Sequence, residues 1–465
     1  MADERFAEHL HHPVGRGHVP ERAHQGAAGG AACGDLVAIR VAVEGGRVVD
    51  AGFDASGCGA AQAAASAAVD LVLGEPLLEA ARVGAAAIAE ALGGLSAGKL
   101  HAADLASDAL HRALGAAAFA DAAVEPDPDR VLVAMSGGVD STVAALLSGP
   151  RAVGVTLELW RDPENDAESS CCSASAVRSA RAVAHRLGLP HFTLDLRDRF
   201  RAGVVEPWLE EHRAGLTPNP CVRCNGRVRL DAMVEMADRL GAAALATGHY
   251  ARKTEDGLLR AAADGDKDQS YMLAGLSRET LARLRFPLGE LTKPQVRALA
   301  AEHGLEVAQK ADSQDLCFLA GTHRARFLAR HGGLREQPGD IVDREGRVLG
   351  RHKGHFHYTV GQRRGLGVHA PEPLYVLATD ARTNTVTVGP REALATDRVR
   401  LSGLRLHRDA DEVDAVKLRY RADPVPARLR GDVVELERPF PGAAPGQTAV
   451  LLAGDVIIGC ATIAP

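Results

Sequence analysis

Cysteine is scarce in this sequence: eight residues are spread over 465 positions, which is too few for a scaffold held by disulfides. Long apolar runs are missing as well, since no stretch of about 18 consecutive apolar residues occurs. The first residues, MADERFAEHLHHP, are polar and do not resemble a signal peptide. We therefore expect no membrane span, no membrane partner and a cytoplasmic location, where clustered thiols usually indicate metal binding or catalysis.

An excess of positive charge is also missing, because the formal net charge is −6 at pH 7. This argues against a general binder of polyanions. The acidic surplus belongs to residues 1–125, which hold 8 Lys and Arg against 16 Asp and Glu. The remainder of the chain is slightly basic in formal charge, so a local basic surface for RNA is compatible with the composition.

The sequence changes character along the chain and predicts five segments. A Gly-Gly turn between β-branched runs indicates a hairpin near the start, and Ala-rich helices follow it. After a Pro- and Asp-rich stretch, short apolar strands alternate with helices, which predicts an α/β fold with a parallel sheet. Gly-punctuated strands follow and predict small β domains. The segments are an α+β domain, a linker, the α/β domain, a small central β-rich domain and a C-terminal β-barrel domain, at 1–122, 123–129, 130–330, 331–392 and 393–465.

The stretch VLVAMSGGVDSTVAALL reads as a buried strand, a tight glycine turn and a helix. Paired glycines let backbone N–H groups approach an anion, and the helix N-terminus adds partial positive charge. A P-loop of the Walker type is excluded because no Gly-Lys-Ser/Thr follows. The stretch resembles the pyrophosphate-loop ATPases, whose signature is SGGxDS. The resemblance implies binding of ATP by Ser136–Ser141, with Mg²⁺ held through Asp140.

The stretch TPNPCVRCN places Cys221 and Cys224 three residues apart, behind a Thr-Pro-Asn-Pro run. Prolines at this spacing predict a non-helical loop around both thiols. The same stretch, together with ATGHYAR, DKDQSYML, FPLGELTKPQVR, DSQDLCFL, HYTVGQRRGLG and KLRYR, resembles the tRNA-specific 2-thiouridylase (MnmA) family over about residues 130–465. That family replaces the 2-carbonyl oxygen of the wobble uridine by sulfur in tRNAs for Lys, Glu and Gln. The resemblance implies adenylation of this oxygen, followed by its displacement by sulfur.

The same resemblance carries roles to individual positions of this sequence. Cys224 matches the nucleophilic cysteine, and Cys317 matches the cysteine that receives persulfide sulfur from a cysteine desulfurase or sulfur carrier. The positions that match nucleotide contacts are Ala134, Met135, Ser136, Gly137, Gly138, Val139, Asp140, Ser141, Leu157 and Gly248. The positions that match the segment touching the target base are Asn219, Pro220 and Cys221. The positions that match tRNA contacts are His249, Lys267, Asp268, Gln269, Arg419, Tyr420 and Gln447.

Cys221 departs from the commonest form of the family, which has an aspartate at this position. Three thiols, Cys221, Cys224 and Cys317, could hold a [4Fe–4S] cluster by three irons and leave the fourth iron open to sulfide. Two alternatives stay open. Cys224 and Cys317 could use a persulfide and disulfide route with Cys221 inert, or the thiols could hold a structural zinc with a fourth ligand.

The first quarter resembles the NifU/IscU-type iron–sulfur scaffold over about residues 3–120. Its cluster ligands match Cys33, Asp35, Cys58 and His101, a donor set that suits iron or zinc. The pattern breaks at Ala102, where the family has a third cysteine. Zinc or transient iron binding, sulfur relay and docking of a cysteine desulfurase all remain open, and fusion to the thiolating domain would favour delivery through high local concentration.

Two other functions are compatible with the loop alone. One is a pyrophosphate-loop ligase acting on a small molecule, which would not need the cysteine pair. The other is an iron–sulfur carrier that uses nucleotide binding as a switch. The intact Ser136–Ser141 loop, beside a scaffold site that lacks one cysteine, argues against this carrier.

Overall fold

The computed structural model describes residues 2–29, 34–162, 173–310, 316–319 and 321–465, so Cys33 lies outside the described residues. The chain separates into two units. Unit 1 comprises residues 1–197, 232–249 and 283–318, and unit 2 comprises residues 198–231, 250–282 and 319–465. Within the described residues, every helix is too short or too polar to pass through a bilayer.

The α-helices of the described residues are, in chain order, α1 (Ala2–His11), α2 (Gly59–Val72), α3 (Leu77–Ala80), α4 (Ala85–Ala91), α5 (Leu100–Asp121), α6 (Val139–Leu147), α7 (Ala174–Arg186), α8 (Arg197–Phe200), α9 (Glu206–Arg213), α10 (Pro220–Cys224), α11 (Leu230–Arg239), α12 (Ser270–Leu273), α13 (Arg278–Arg283), α14 (Lys293–Glu302) and α15 (Arg324–Gly332). The strands are β1 (His24–Gly29), β2 (Leu36–Glu44), β3 (Arg47–Ser56), β4 (Asp127–Ala134), β5 (Ala152–Glu158), β6 (His191–Asp195), β7 (Ala242–Thr247), β8 (Arg252–Lys253), β9 (Leu259–Arg260), β10 (Leu284–Arg285), β11 (Gly339–Val342), β12 (Val348–His352), β13 (Tyr375–Asp380), β14 (Thr385–Gly389), β15 (Ala395–Leu406), β16 (Ala415–Lys417), β17 (Val425–Arg430), β18 (Val433–Pro441), β19 (Thr448–Ala453) and β20 (Val456–Ile463).

The N-terminal part of unit 1 is a three-stranded antiparallel sheet, β1-β2-β3, covered by helices. Gly45 and Gly46 make the β2–β3 turn with φ of 55° and 74°, the left-handed region that glycine enters without strain. Helix α5 packs on the sheet so closely that a Cβ on Gly26 would lie 2.1 Å from the carbonyl oxygen of Ala109. The predicted α+β fold of this part is confirmed, with the hairpin and both Ala-rich helices where the sequence indicated them.

The rest of unit 1 is a five-stranded sheet in the order β10-β7-β4-β5-β6, and every neighbouring pair is parallel. This confirms the predicted α/β fold. Strand β4 begins at Asp127, so the last residues of the segment predicted as a linker belong to the sheet. The carboxyl ends of β4 and β7 meet at one edge, which places the loops after them side by side.

Helix α5 also packs against β6, the edge strand of the parallel sheet, within unit 1. A Cβ on Gly115 would lie 2.0 Å from the carbonyl oxygen of Thr193, so helix and strand backbones touch directly. The imidazole Nδ1 of His111 lies 2.7 Å from the carbonyl oxygen of His191. The Arg112 guanidinium donates to the Glu158 carboxylate at 2.7–3.2 Å. The N-terminal part is therefore packed on the parallel-sheet part rather than only joined to it by the chain.

Unit 2 holds the two predicted small β structures. A four-stranded sheet has the order β12-β11-β14-β13, and a larger sheet runs β15-β18-β17-β16-β19-β20-β9-β8. Pairing of β15 with β20 closes the larger sheet into a barrel. Strands β8 and β9 extend it from residues 252–260, and Leu258 joins the barrel core beside Ile458. The sequence did not indicate this long-range addition.

The predicted loop around the cysteine pair is wrong, because Pro220–Cys224 forms the short helix α10. Asn219 is its N-cap, and its side-chain oxygen accepts from the backbone N–H groups of Cys221 and Val222 at 3.1 and 3.3 Å. Pro220 occupies the first turn, where a missing N–H does no harm. The Pro-rich run thus starts a helix instead of excluding one.

Candidate functional site

The glycine turn lies between β4 and α6. Gly137 has a φ of 70°, and a Cβ there would lie 2.6 Å from the carbonyl oxygen of Ala176 on α7. Ser141 Oγ donates to the carbonyl oxygen of Gly138 at 3.1 Å and accepts from the backbone N–H of Ser136 at 3.0 Å. Gly138 is the N-cap of α6, and Asp140 lies in its first turn. The turn therefore presents backbone N–H groups and a helix N-terminus, the arrangement that suits an anion.

The other residues predicted to contact the nucleotide surround this turn in unit 1. Gly248 follows β7, and a Cβ there would lie 2.7 Å from the backbone nitrogen of Ser141. Met135 donates its backbone N–H to the carbonyl oxygen of Val155 at 2.8 Å, which aligns the end of β4 with β5. Leu157 is buried on β5, and Ala134 and Val139 are buried at the two ends of the turn. Unit 1 thus brings together the positions predicted for nucleotide contact.

Two lysines that the sequence reasoning missed reach this turn. Lys293 Nζ donates to both carboxylate oxygens of Asp140 at 2.8 Å. Lys310 Nζ donates to the carbonyl oxygen of Gly137 at 2.9 Å. Lys293 belongs to the stretch FPLGELTKPQVR, which was informative as a motif, but only the fold shows that its ammonium lies beside a carboxylate 153 residues earlier. These two cations add positive charge to the glycine turn.

A second cluster lies in the N-terminal part of unit 1. Asp35, Cys58 and His101 each offer a ligand atom, and these atoms lie within 4.8 Å of one another. The Asp35 carboxylate is 3.3 Å from both Cys58 Sγ and His101 Nε2. Three of the four predicted scaffold ligands are therefore brought together among the described residues. A thiol, a carboxylate and an imidazole at this separation suit zinc or iron.

Local structure fixes the carboxylate of this cluster. The backbone N–H of Cys58 donates to Asp35 Oδ1 at 2.8 Å and holds the pKa of that carboxyl below its ordinary value, against the opposing effect of burial. Gly57 allows this approach, because a Cβ there would lie 1.9 Å from Asp35 Oδ1. Ala102, where the scaffold family has a cysteine, is fully buried on α5 and offers no ligand atom.

The thiols predicted for sulfur chemistry belong to different units. Cys221 and Cys224 occupy α10 in unit 2, with Cys221 half-buried and Cys224 only 8% exposed. Cys317 is half-buried in unit 1. A separation of three residues on a helix puts Cys221 and Cys224 on one face of α10. The meeting of Cys317 with these two thiols stays a prediction.

Two tyrosines lie beside the segment predicted to touch the target base, within unit 2. The Asn219 side chain is hydrogen-bonded to Tyr271, whose hydroxyl donates to the carbonyl oxygen of Thr448 at 2.7 Å. The ring centroids of Tyr271 and Tyr420 are 5.9 Å apart. Burial raises the pKa of Tyr420, and the nearby Asp268 carboxylate and, to a smaller extent, Cys221 raise it further. Tyr271 is buried, so the half-buried Tyr420 is the ring of this pair that could stack on an extruded base.

Four of the other six predicted tRNA contacts are hydrogen-bonded to nearby backbone groups. The Gln447 side chain donates to the carbonyl oxygen of Thr217 at 2.7 Å, just before α10. The Asp268 carboxylate accepts from Ala262 N at 3.0 Å, and Gln269 Oε1 accepts from Tyr250 N at 3.0 Å. Arg419 donates to the carbonyl oxygen of Gly442. Lys267 lies in a short 3₁₀ turn. In unit 1, Nδ1 of His249 is 2.9 Å from Oγ1 of Thr247. Apart from Lys267, these side chains hold nearby loops by hydrogen bonds as well as lying at positions predicted for tRNA contact.

Profiles of four protein families match the chain in succession. They are described as NifU-like N terminal domain (residues 1–120), tRNA methyl transferase HUP domain (129–321), tRNA methyl transferase PRC-barrel domain (325–390) and Aminomethyltransferase beta-barrel domain (398–463).

Relatives match either nearly the whole chain or its larger part. A "Bifunctional protein NifU/MnmA" from Rubrobacter xylanophilus is 43% identical, over 97% of this chain and 96% of its own length. A "tRNA-specific 2-thiouridylase MnmA" from Salinispora tropica is 47% identical over 72% of this chain and 99% of its own length. The protein of the same name from Zymomonas mobilis is 44% identical over 71% of this chain and 92% of its own length.

Proposed function

The chain belongs to the tRNA-specific 2-thiouridylase family, in the form that carries a NifU-like domain in front, and we propose that it converts the wobble uridine of tRNA to 2-thiouridine. The tRNAs for Lys, Glu and Gln are its proposed substrates, and the cytoplasm is its proposed location. The glycine turn at Ser136–Ser141, beside buried positions predicted for nucleotide contact, is the observation that supports the chemical part of this proposal.

The proposed first step is adenylation by ATP. The uridine 2-carbonyl oxygen attacks the α-phosphorus, the bond to the bridging oxygen breaks, and pyrophosphate leaves. The backbone N–H groups of the turn and the N-terminus of α6 would hold the pyrophosphate. The Asp140 carboxylate is a suitable ligand for Mg²⁺, which would offset phosphate charge. The adenylated oxygen is then a good leaving group, which the original carbonyl oxygen is not.

The proposed second step is sulfur transfer by Cys224 and Cys317. A sulfur nucleophile adds at C2 and AMP leaves with the former carbonyl oxygen. Two routes for the sulfur differ in whether Cys221 takes part. With three thiols, a [4Fe–4S] cluster could be bound. With Cys224 and Cys317 alone, a persulfide on one thiol supplies the sulfur and a disulfide between the two forms as the sulfur leaves. We favour the cluster, because Cys221 and Cys224 share one face of α10.

For the NifU-like part, we propose zinc or transient iron binding at Asp35, Cys58 and His101, with Cys33 as a fourth ligand. The three described ligand atoms are close enough for one ion. The exposed positions of Cys58 and His101 would allow exchange with a cysteine desulfurase or a sulfur carrier. The contact of α5 with β6 would keep this site at a fixed distance from the ATP-binding part.

The proposed activity can be tested by incubating the protein with ATP, a sulfur source and unmodified tRNA, followed by mass analysis of the nucleosides. Thiolation and methylation change the mass of uridine by different amounts, so the result also separates sulfur transfer from the methyl transfer in the family descriptions. Cys224→Ala is expected to abolish 2-thiouridine. Cys460→Ala is the matched control, since Cys460 is also buried but lies on β20 of the barrel. Absence of 2-thiouridine with the unaltered protein would overturn the proposal.

Two alternatives give different results in the same experiment. A pyrophosphate-loop ligase would release pyrophosphate with a small-molecule acceptor in the absence of tRNA. An iron–sulfur carrier with a nucleotide switch would bind ATP but release no pyrophosphate when tRNA is added. Release of pyrophosphate that depends on tRNA supports the thiolating enzyme against both.

A further inference from the structure

Lys293 occupies a position that its own helix does not favour. It is the first residue of α14, where the partial positive charge of the helix N-terminus opposes a cation. Its side chain is also only 9% exposed, and lysine is rarely buried unless it is paired. The ion pair with Asp140 accounts for the burial of Lys293, whereas its position at the start of α14 still opposes its charge.

The backbone around Lys293 is held rigidly. Thr292 and Gln295 form a capping box, and Pro294 follows directly in the first turn of α14. The ammonium group is thereby aimed at the first turn of α6, where it donates to both carboxylate oxygens of Asp140. The Asp140 side chain is 31% exposed, so the pair is open to solvent on the side of the carboxylate.

From this geometry we propose that Lys293 is a pyrophosphate-binding residue that exchanges Asp140 for the β- and γ-phosphates when Mg²⁺ and ATP bind. The inference rests on the proposed use of ATP. Mg²⁺ prefers carboxylate oxygen, so Asp140 acquires a new partner when the metal arrives. The ammonium that now bonds to Asp140 is then available to donate to phosphate oxygens held at the glycine turn. It keeps its three protons throughout and stabilises the charge that pyrophosphate gains as the α–β bond breaks.

A purely structural role for the ion pair predicts a different result. In that case Lys293 only neutralises Asp140 and fixes α14 against α6, and its loss would affect every nucleotide equally. A pyrophosphate-binding lysine matters for ligands that carry β- and γ-phosphates and hardly matters for AMP. The two ligands therefore separate the two roles.

The test measures binding of α,β-methylene-ATP with Mg²⁺, and of AMP, to the full chain by calorimetry. We expect Lys293→Gln to weaken binding of α,β-methylene-ATP by about 10- to 100-fold, the usual range for a hydrogen bond to a charged group, and to weaken AMP binding much less. Lys293→Arg is expected to restore part of the loss. Lys353→Gln is the control, since Lys353 forms an exposed ion pair with Glu336 far along the sequence.

A Mg²⁺-free arm isolates the lysine from the metal. In EDTA, Asp140→Asn is expected to bind α,β-methylene-ATP about tenfold more tightly than the Asp140→Asn, Lys293→Gln double variant, because neither has the repelling carboxylate and only one has the ammonium. Equal binding by these two variants, or equal losses for both ligands in Lys293→Gln, would overturn the inference. Failure of the unaltered protein to bind α,β-methylene-ATP would instead overturn the proposed use of ATP together with it.

Discussion

Asp108 on α5 and Arg181 on α7 form an ion pair inside unit 1, and their side chains are only 5% and 6% exposed. The pair joins the NifU-like part to the parallel-sheet part, beside the direct contact of Gly115 with β6. Arg178 also approaches the Asp108 carboxylate, at 3.5 Å. A fusion that only tethered two domains would not need a buried charge pair between them.

Removal of one partner of this pair is expected to destabilise unit 1 strongly. Asp108→Ala leaves the Arg181 guanidinium buried without its carboxylate, which typically costs about 3–5 kcal/mol of the free energy of unfolding. Denaturant unfolding together with limited proteolysis at α5 would measure it. Glu336→Ala, which breaks the exposed pair with Lys353, is the control and should change stability little. Equal effects of the two substitutions would contradict a structural role for the buried pair.

The same contact is expected to weaken in acid. Burial lowers the pKa of His185 to about 4 and the pKa values of His111 and His191 well below their ordinary value. The unfolded chain therefore takes up protons on these residues at a higher pH than the folded chain does. Stability should be fully present above the ordinary pKa of 6.5 and should decrease as pH falls from there towards 4.

Thermal unfolding measured across this pH range would check the expectation, with hydrogen exchange at α5 and β6 as the local readout. His185→Gln should flatten the decrease, since it removes one of the titrating groups. His303→Gln is the control, because His303 is exposed and outside this cluster. A pH profile unaffected by His185→Gln would argue against the histidines as its cause.

Gly248→Ala is expected to impair nucleotide binding. The added Cβ would lie 2.7 Å from the backbone nitrogen of Ser141 and so displace the first turn of α6. Overpacking of this kind commonly costs about 1–3 kcal/mol, which corresponds to roughly 5- to 150-fold in affinity if the shift falls on the binding turn. Titration with α,β-methylene-ATP would measure it, beside Gly98→Ala, where an added Cβ meets no atom within 4 Å. Unchanged affinity in Gly248→Ala would show that the turn does not hold the nucleotide.

Iron and sulfide content of anaerobically prepared protein is expected to separate the two metal sites. Cys221→Ala should remove cluster iron, sulfide and visible absorbance if three thiols hold a cluster, because only two would remain. Cys58→Ser should instead remove metal from the site with Asp35 and His101 and leave the cluster absorbance intact. Full thiolation activity and no bound iron in Cys221→Ala would favour the persulfide route through Cys224 and Cys317.

The sequence by itself determined what depends on neighbouring residues. Runs of β-branched residues placed strands β2 and β3, the Gly-Gly pair placed their turn, and SGGVDS placed the turn between β4 and α6. The sequence-based prediction was wrong at α10. Proline interrupts the interior of a helix but is favourable in the first turn of one, and here the N-cap formed by Asn219 places Pro220 in the first turn.

Tertiary structure alone decided what depends on residues far apart in the chain. It packed α5 on β6, added β8 and β9 to the barrel and placed Lys293 beside Asp140. The sheet order sets these distances, and no local periodicity records which strand will lie beside which. The residue types were thus readable from the sequence, but their partners were not.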